Sequence, residues 1–302
     1  RRFKSVPRNQ IIKNNFPLFP DPTKKDKYLF FSNGYFKEKN NPENKSKVLE
    51  YSKNIEGWTD ELTEMANHHI DINHPIDVES RKKCLGYLEK YELSDKKVIL
   101  EVGCSSGYLI DEIKKKQKYN YIGSDAVKNQ LLKLSNEHIN IPFIVFDLLK
   151  NPFNKPTVNA LIMLNVLEHI KDDNTALLEA NKILHKDGIL ILEVPSGKTL
   201  YDDYDKKLMH FRRYNMKDVV DKIENAGFTI EHKTHLGFFI FPIFAIVKLF
   251  NKFFKPKDEN IVIKQAKISN NFFLRFLFNF ERIFSNFSLP FGIRCYICAR
   301  KK

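Results

Sequence analysis

From residue 97 the chain alternates short apolar runs with stretches of helical periodicity. KVILEVG, YNYIGS, IPFIVF, NALIMLNV and GILILEV read as strands, and the segments between them read as helices. Runs this apolar need cover on both faces, and parallel strands need crossover helices to connect them. The alternation therefore predicts an α/β protein with a doubly wound, mostly parallel sheet. A helix over about 215–226, the strand FTIEHKTHL and a closing strand in IRCYICARKK bring the expected strand count to seven.

The first strand runs through Glu101 into a turn of small residues, Gly103-Cys-Ser-Ser-Gly107. In open α/β sheets ligands sit at the carboxyl ends of the strands, where strand order reverses. A turn without bulky side chains lets a ligand approach the backbone, and the helix that follows adds a favourable dipole. The second strand ends at Asp125, 18 residues beyond Gly107, where a ribose-binding carboxylate belongs.

Four features taken together carry a family resemblance: Glu101 with its turn, Asp125 after the second strand, Phe146-Asp147 after the third, and NVLEHIKDD after the fourth. They resemble the class I S-adenosylmethionine-dependent methyltransferases, specifically the branch acting on small molecules, quinones, lipids and glycans. The resemblance covers roughly residues 93–236 and the final strand, and it implies a Rossmann-like methyltransferase fold with S-adenosyl-L-methionine as cofactor. Ser105 stands where the family pattern E-x-G-x-G-x-G has its middle glycine. The dinucleotide pattern G-x-G-x-x-G is not met, which speaks against a dehydrogenase. By this resemblance Glu101, Gly103, Cys104, Ser105, Gly107, Asp125, Asp147 and Asn165 bind the cofactor, with the turn at its amino-acid end, Asp125 at the ribose hydroxyls and Asp147 by the adenine amine.

A sulfonium methyl is already activated, so transfer to an oxygen needs alignment and a base near neutral pKa. His169 after the fourth strand and His210 after the fifth are the candidates, with His169 preferred. Arg212 and Arg213 could clamp a phosphate or carboxylate on the acceptor. Glu168, His169 and His210 could alternatively hold a divalent ion. Metal-using relatives add an acid just upstream, however, where Asn165 stands, so no metal is assigned. The lone pair Cys295 and Cys298 lacks the second pair or histidines of a zinc site, and four scattered cysteines favour a reducing compartment.

The remaining segments are read by composition. Residues 1–92 form an N-terminal extension, loop to about residue 47 on the strength of five prolines and many Lys and Asn, then helical from Trp58, with Asp77 ahead of a helix in HPIDVESRKKCLGYLEKY. Residues 93–236 are the cofactor-binding core, 237–292 an insertion, and 293–302 the closing strand. The insertion holds 15 of the chain's 26 Phe, and Phe273, Leu277, Phe280, Phe284 and Phe287 fall at helical spacing. The longest apolar run, 238–247, is too short to span a bilayer.

With Lys and Arg on its flanks and a formal charge of +13 over the chain, the insertion suits an anionic membrane surface and a greasy acceptor; an oligomer interface is the alternative. The expected function is methyl transfer to an oxygen of a small, lipid-linked, quinone-like or glycan acceptor, by a cytoplasmic protein peripheral to the inner membrane face. The start carries no apolar leader, although it also lacks Met. An RNA methyltransferase and a non-catalytic binding protein of the same fold are the rivals. Nucleic acid is not expected, because the clustered aromatics are helical rather than laid out on a sheet.

Overall fold

The computed structural model describes residues 16–53, 74–91, 97–116, 119–254, 272–284 and 287–302, together with 55, 56, 59, 61 and 62. Trp58 and the loop expected over residues 1–15 lie outside them.

The five apolar runs form β6 (Val98–Val102), β7 (Asn120–Ser124), β8 (Phe143–Val145), β9 (Val158–Leu164) and β10 (Leu184–Pro195), all mutually parallel. β11 (Phe228–Leu236) follows, and β12 (Arg294–Lys301) inserts antiparallel between β10 and β11. The spatial order is β11-β12-β10-β9-β6-β7-β8-β5, where β5 (Val48–Glu50) comes from the N-terminal extension and pairs parallel with β8. The seven expected strands are there, and β5 makes an eighth. Chain order runs one way from β6 through β7 to β8 and the other way from β6 to β9 and β10, so it reverses beside β6.

Alternation along each strand splits the core into two layers. On one face, α1 (Pro75–Lys90), α2 (Tyr108–Lys116) and α3 (Lys128–Glu137) press Leu88, Ile110 and Leu131 onto Ile99, Ile162 and Ile191. On the other, α4 (Asp173–Ile183) and, beyond the short α5 (Asp203–Lys207), α6 (Met216–Asn225) press Leu177, Ala180 and Ile223 onto Leu100, Leu161 and Leu190. Each such side chain taken from water is worth about 1.5–3 kcal/mol, which fixes the register of the strand ends that carry the site.

The extension departs from the expected loop. β1 (Phe19–Pro20), β2 (Tyr28–Ser32), β3 (Tyr35–Glu38) and β4 (Asn41–Ser46) form a separate antiparallel sheet. Phe19, Phe31 and Phe36 are buried in the same apolar layer as α4 and α6, with Phe36 edge-on to both neighbours at 5.0 Å. The prolines and Lys-rich composition hide this, but the turn Asn33-Gly34, with φ of 51° and 79°, is a hairpin signal of the primed type. The start of α1 differs too. Pro75 opens the helix after His74, and Asp77 lies in its first turn rather than ahead of it.

The insertion supplies α7 (Phe241–Phe254) and α8 (Phe272–Ile283). No helix among the described residues is long and apolar enough to cross a membrane. In α8 the inward residues are Phe278 and Glu281, whose carboxylate accepts from the amides of Gly237 (2.9 Å) and Phe238 (2.8 Å). Phe280 and Phe287, expected on a single apolar stripe, are exposed.

Candidate active site

The register places Val102 beside Ser124 on β7 and Met163 on β9, and Leu164 beside Glu193 on β10. The four strand ends therefore deliver Gly103, Asp125, Asn165 and Pro195 to one rim of the sheet, beside the strand-order reversal.

The turn after β6 is held from within. The amides of Gly103 and Cys104 both donate to the Ser124 carbonyl at 2.8 Å, Ser105 N donates to Asp125 Oδ2 at 2.9 Å, and Gly107 N to the Cys104 carbonyl at 2.9 Å. These amides have protein acceptors, so the turn contributes shape rather than a row of bare donors. Gly103 (φ 78°), Ser105 (46°) and Gly107 (78°) all adopt left-handed backbone, which locates Ser105 where the family pattern has glycine. A Cβ on Gly103 would lie 2.5 Å from Val166 Cγ2, so a side chain there clashes with the β9 end before it meets any ligand.

Asp125 sits just past β7, buried, with Oδ1 accepting from Val127 N at 3.0 Å and Oδ2 from Ser105 N. Burial raises its pKa, against the lowering effect of those amides. A carboxylate can accept about four hydrogen bonds, and two are used, so it retains capacity for a pair of hydroxyls. Glu101 is buried on β6 with its carboxylate hydrogen-bonded by the Tyr121 hydroxyl, and burial pushes its pKa up to about 8. Asp147 follows β8 and caps a short 3-10 turn through Leu149 N at 3.0 Å. Asn165, in left-handed backbone, donates its side-chain amide to Glu193 Oε1 at 2.8 Å.

Across the rim stands the second half of the site. A 3-10 turn (Leu167–His169) follows β9, and the amide of Phe211 donates to the Glu168 carbonyl at 2.8 Å, bringing the 201–214 loop over it. The rings of His169 and His210 meet edge to face with centroids 4.7 Å apart. Glu168, His169 and His210 each bring one possible ligand atom within 4.8 Å of the others. Glu168 is fully buried, and neither carboxylate oxygen has a hydrogen-bond partner among the described residues. Burial above all, with Glu193 nearby, raises its pKa to about 8.

His210 is oriented from behind. Its Nδ1 lies 2.9 Å from Asp205 Oδ1, which leaves Nε2 to face the site. Asp205 is fully buried and also accepts from Arg213 Nε at 2.8 and 2.9 Å and from Lys248 Nζ at 3.2 Å. Burial pushes the Asp205 carboxyl upward, but the His210 and Arg213 hydrogen bonds and the Arg213 and Lys248 charges outweigh it and hold the pKa well below the usual carboxylate range. Sequence reasoning missed Asp205 and Lys248, which lie 43 residues apart with no local signal between them.

The two arginines expected to clamp an acceptor are engaged by the protein. Arg212 donates to the Ile170 (3.0 Å) and Lys171 (2.6 Å) carbonyls and pairs with Asp173 at 3.0 Å, while Arg213 is buried on Asp205 and the Ser196 carbonyl. They tether the loop over the site. Cys295 and Cys298 pack into opposite core layers, as residues three apart on a strand must, and burial pushes both thiols up to about 12.

Comparison with known proteins identifies the family. Residues 78–250, more than half of the chain, match the family model of a methyltransferase domain. A Mycolicibacterium smegmatis protein described as a probable S-adenosylmethionine-dependent methyltransferase is 24% identical over 135 residues, 44% of this chain and 52% of that protein. The chain thus spans about half the length of the curated relative it matches.

Among solved structures, a Galdieria sulphuraria protein described as a candidate sarcosine dimethylglycine methyltransferase is similar over 80% of this chain and 99% of its own, with TM-score 0.56 and 11% identity. A structure described as the complex of the Haloferax volcanii Trm112 methyltransferase activator with a candidate methyltransferase is similar over 80% of this chain and 98% of its own, with TM-score 0.53 and 10% identity. At these identities the likeness is one of fold. The fold and the strand-end site define a Rossmann-like nucleoside-cofactor protein. The chain belongs to the methyltransferase-domain family, whose cofactor is S-adenosylmethionine.

The residues at the rim suit that cofactor chemically. It presents ribose hydroxyl donors, and the rim offers Asp125, buried and with spare acceptor capacity, to receive them.

Proposed function

We propose that the chain transfers the methyl group of S-adenosylmethionine to an oxygen of a small, lipid-linked, quinone-like or glycan acceptor, working at the cytoplasmic face of a membrane. The observation that carries this reading is the meeting of His210, aimed by Asp205, with His169 and Glu168 across the rim from Asp125. Asp125 would hold the ribose hydroxyls, the turn from Gly103 to Gly107 the amino-acid end, and Asp147 the adenine edge. The bound cofactor supplies an electrophilic methyl. The protein's own contribution is then to remove the acceptor's hydroxyl proton.

His210 is the better placed of the two bases, because a carboxylate fixes its Nδ1 and turns Nε2 to the site, the arrangement that activates nucleophiles generally. Replacing His210 by Gln should leave S-adenosylhomocysteine affinity within about twofold and reduce turnover by about a hundredfold or more.

The membrane reading is supported by α7. Its exposed residues include Ile243, Ile246 and Phe250, whereas the buried one among its described side chains is Lys248. A helix that hides Lys248 and shows an aliphatic face suits a headgroup boundary that accepts apolar side chains. Membrane extract incubated with the protein and cofactor labelled on its methyl group tests the whole reading. Label should appear in an organic-soluble or glycan product and be lost with His210→Gln. Label confined to nucleic acid would move the protein to the RNA-modifying alternative.

A further inference from the structure

We propose that the outer face of the β1–β4 sheet is a docking surface for single-stranded nucleic acid. Alternation along the strands turns Leu29, Phe31 and Phe36 into the core and leaves Tyr28, Phe30, Tyr35 and Lys37 on the opposite face, with Tyr28 exposed and the others half-buried. Register carries that face across three strands, since Phe30 lies opposite Lys37 and Lys37 opposite Lys45. Lys37, Lys45 and Lys47 gather on one ring, their amines 5.9, 4.9 and 5.9 Å from the centroid of Tyr35. The condition that the insertion's helical aromatics fail, rings laid out on a sheet, is met here.

The charge on this face is uncompensated. Like charges directly opposite across strands work against pairing, so Lys37 facing Lys45 is a choice that the fold alone does not explain. None of the three lysines pairs with a carboxylate among the described residues, whereas Lys128 and Lys206 elsewhere on the surface do find acids. Lys47 donates to a neutral oxygen, Asn136 Oδ1, and Glu38 on β3 is engaged by Lys24 and Asn44. The face therefore lacks an anion that the chain does not supply. Rings set among ammonium groups suit stacked bases and the phosphates between them, whereas a bilayer asks for inserted aliphatic side chains such as those exposed on α7. The two surfaces are also far apart. β3 leans on β5 at one end of the eight-stranded sheet, and the insertion borders β11 at the other, where Thr234 Oγ1 donates to the Phe287 carbonyl, seven strand spacings of about 4.8 Å away.

Fluorescence anisotropy of the full chain with a labelled oligouridylate of about twelve nucleotides tests the surface. Saturable binding is expected, with log affinity falling against log salt at a slope of about −2, the value for three lysines on a single strand. Lys37→Gln with Lys45→Gln should bring that slope to about −0.7 and weaken binding at about 50 mM salt by about tenfold or more. Tyr35→Ala should weaken binding about fivefold or more at an unchanged slope, since it removes stacking and no charge. The same sequence in a duplex should bind more weakly, because its bases are already paired.

Thermal melts guard against variants that fold poorly, and the lysine double variant should melt at or above the parent because a like-charge pair is relieved. A parent that does not bind, a folded lysine variant that keeps the parent's slope, or a duplex bound as tightly as the single strand would overturn the surface. Flotation with anionic vesicles that depends on Lys37 and Lys45, without oligonucleotide binding, would overturn it in favour of a lipid contact. Ile246→Ser with Phe276→Ser on the insertion should bind the oligonucleotide like the parent. This binding stands apart from the methyl-transfer reading: S-adenosylhomocysteine affinity should be unchanged in the lysine variant, and its absence in the parent would overturn that reading alone.

Discussion

The strand-end rim and helix α7 treat charge in opposite ways. At the rim, Glu101, Asp125, Glu168 and Glu193 are all buried within a chain that covers its own core on both faces. On α7 the buried side chain Lys248 is a cation, and Ile243, Ile246 and Phe250 face outward. The difference teaches where each region finds its partners. The rim concentrates carboxyls that want hydroxyl donors or a cation. The helix is anchored through Lys248 on two carboxylates and through Phe241 and Phe244, and leaves its other apolar side for something beyond the fold. Lys248 joins the two, since its amine reaches Asp202 at 2.7 Å and Asp205 at 3.2 Å, and Asp205 in turn aims His210.

Breaking that junction should give the largest effect. Asp205→Ala leaves Arg213, Lys248 and His210 without their shared buried carboxylate, and uncompensated buried charge of this kind costs about 3–5 kcal/mol. A melting temperature lowered by about 10 °C is expected, with α7 losing amide-exchange protection ahead of β6 and β9. Equal protection of α7 in parent and variant would separate the two regions.

A smaller effect concerns the rim alone. Glu101 holds its proton up to a pKa of about 8 when folded, against an ordinary value of 4.5. A carboxyl whose folded pKa is raised favours the folded chain fully below its unfolded value, and that stability is lost as pH rises through the folded value. Unfolding free energy should therefore decline from about pH 4.5 to about pH 8, with a slope from this group of up to about 1.4 kcal/mol per pH unit. Glu101→Gln should flatten that decline in urea unfolding curves measured across the range. A slope unchanged by the substitution would assign the proton elsewhere.

The smallest effect on stability belongs to the outer side of the insertion. Ile246→Ser with Phe276→Ser alters exposed positions, so folding stability should stay within about 0.5 kcal/mol of the parent. Flotation with anionic vesicles should nonetheless drop severalfold, because each apolar side chain buried at a membrane surface contributes about 1.5–3 kcal/mol. Flotation that persists, or a parent that never floats but dimerises through this face, would favour the oligomer reading.

How far the sequence could be read follows the same division. The core was legible because its signals are local: apolar runs of strand length, small residues at a turn that needs left-handed backbone, and an acid one strand later. Ser105 at φ 46° even occupies the position of the missing glycine. The hairpin at Asn33-Gly34 carried an equally local signal, masked by prolines and lysines around it.

Other features rest on contacts distant in sequence. Nothing near Glu168 announces that its carboxylate is buried without a donor among the described residues, and nothing near Lys248 announces Asp205. Arg212 and Arg213 read as a clamp because an arginine pair suits an anion, but Asp173 and Asp205 are the anions they meet. On α8, helical spacing alone could not tell that Phe278 turns inward while Phe276 and Phe280 turn out, because both faces of that helix are aromatic.

The central claim, that the rim beside β6 and β7 is a cofactor site for methyl transfer, is tested most directly by calorimetry with S-adenosylhomocysteine on the parent and on Asp125→Ala. The parent should bind one equivalent. The variant should bind about 5- to 150-fold more weakly, the about 1–3 kcal/mol lost when two hydroxyls lose their acceptor, read against a melt that confirms folding. A parent that gives no binding heat, or a folded Asp125→Ala that binds as tightly as the parent, would contradict the account.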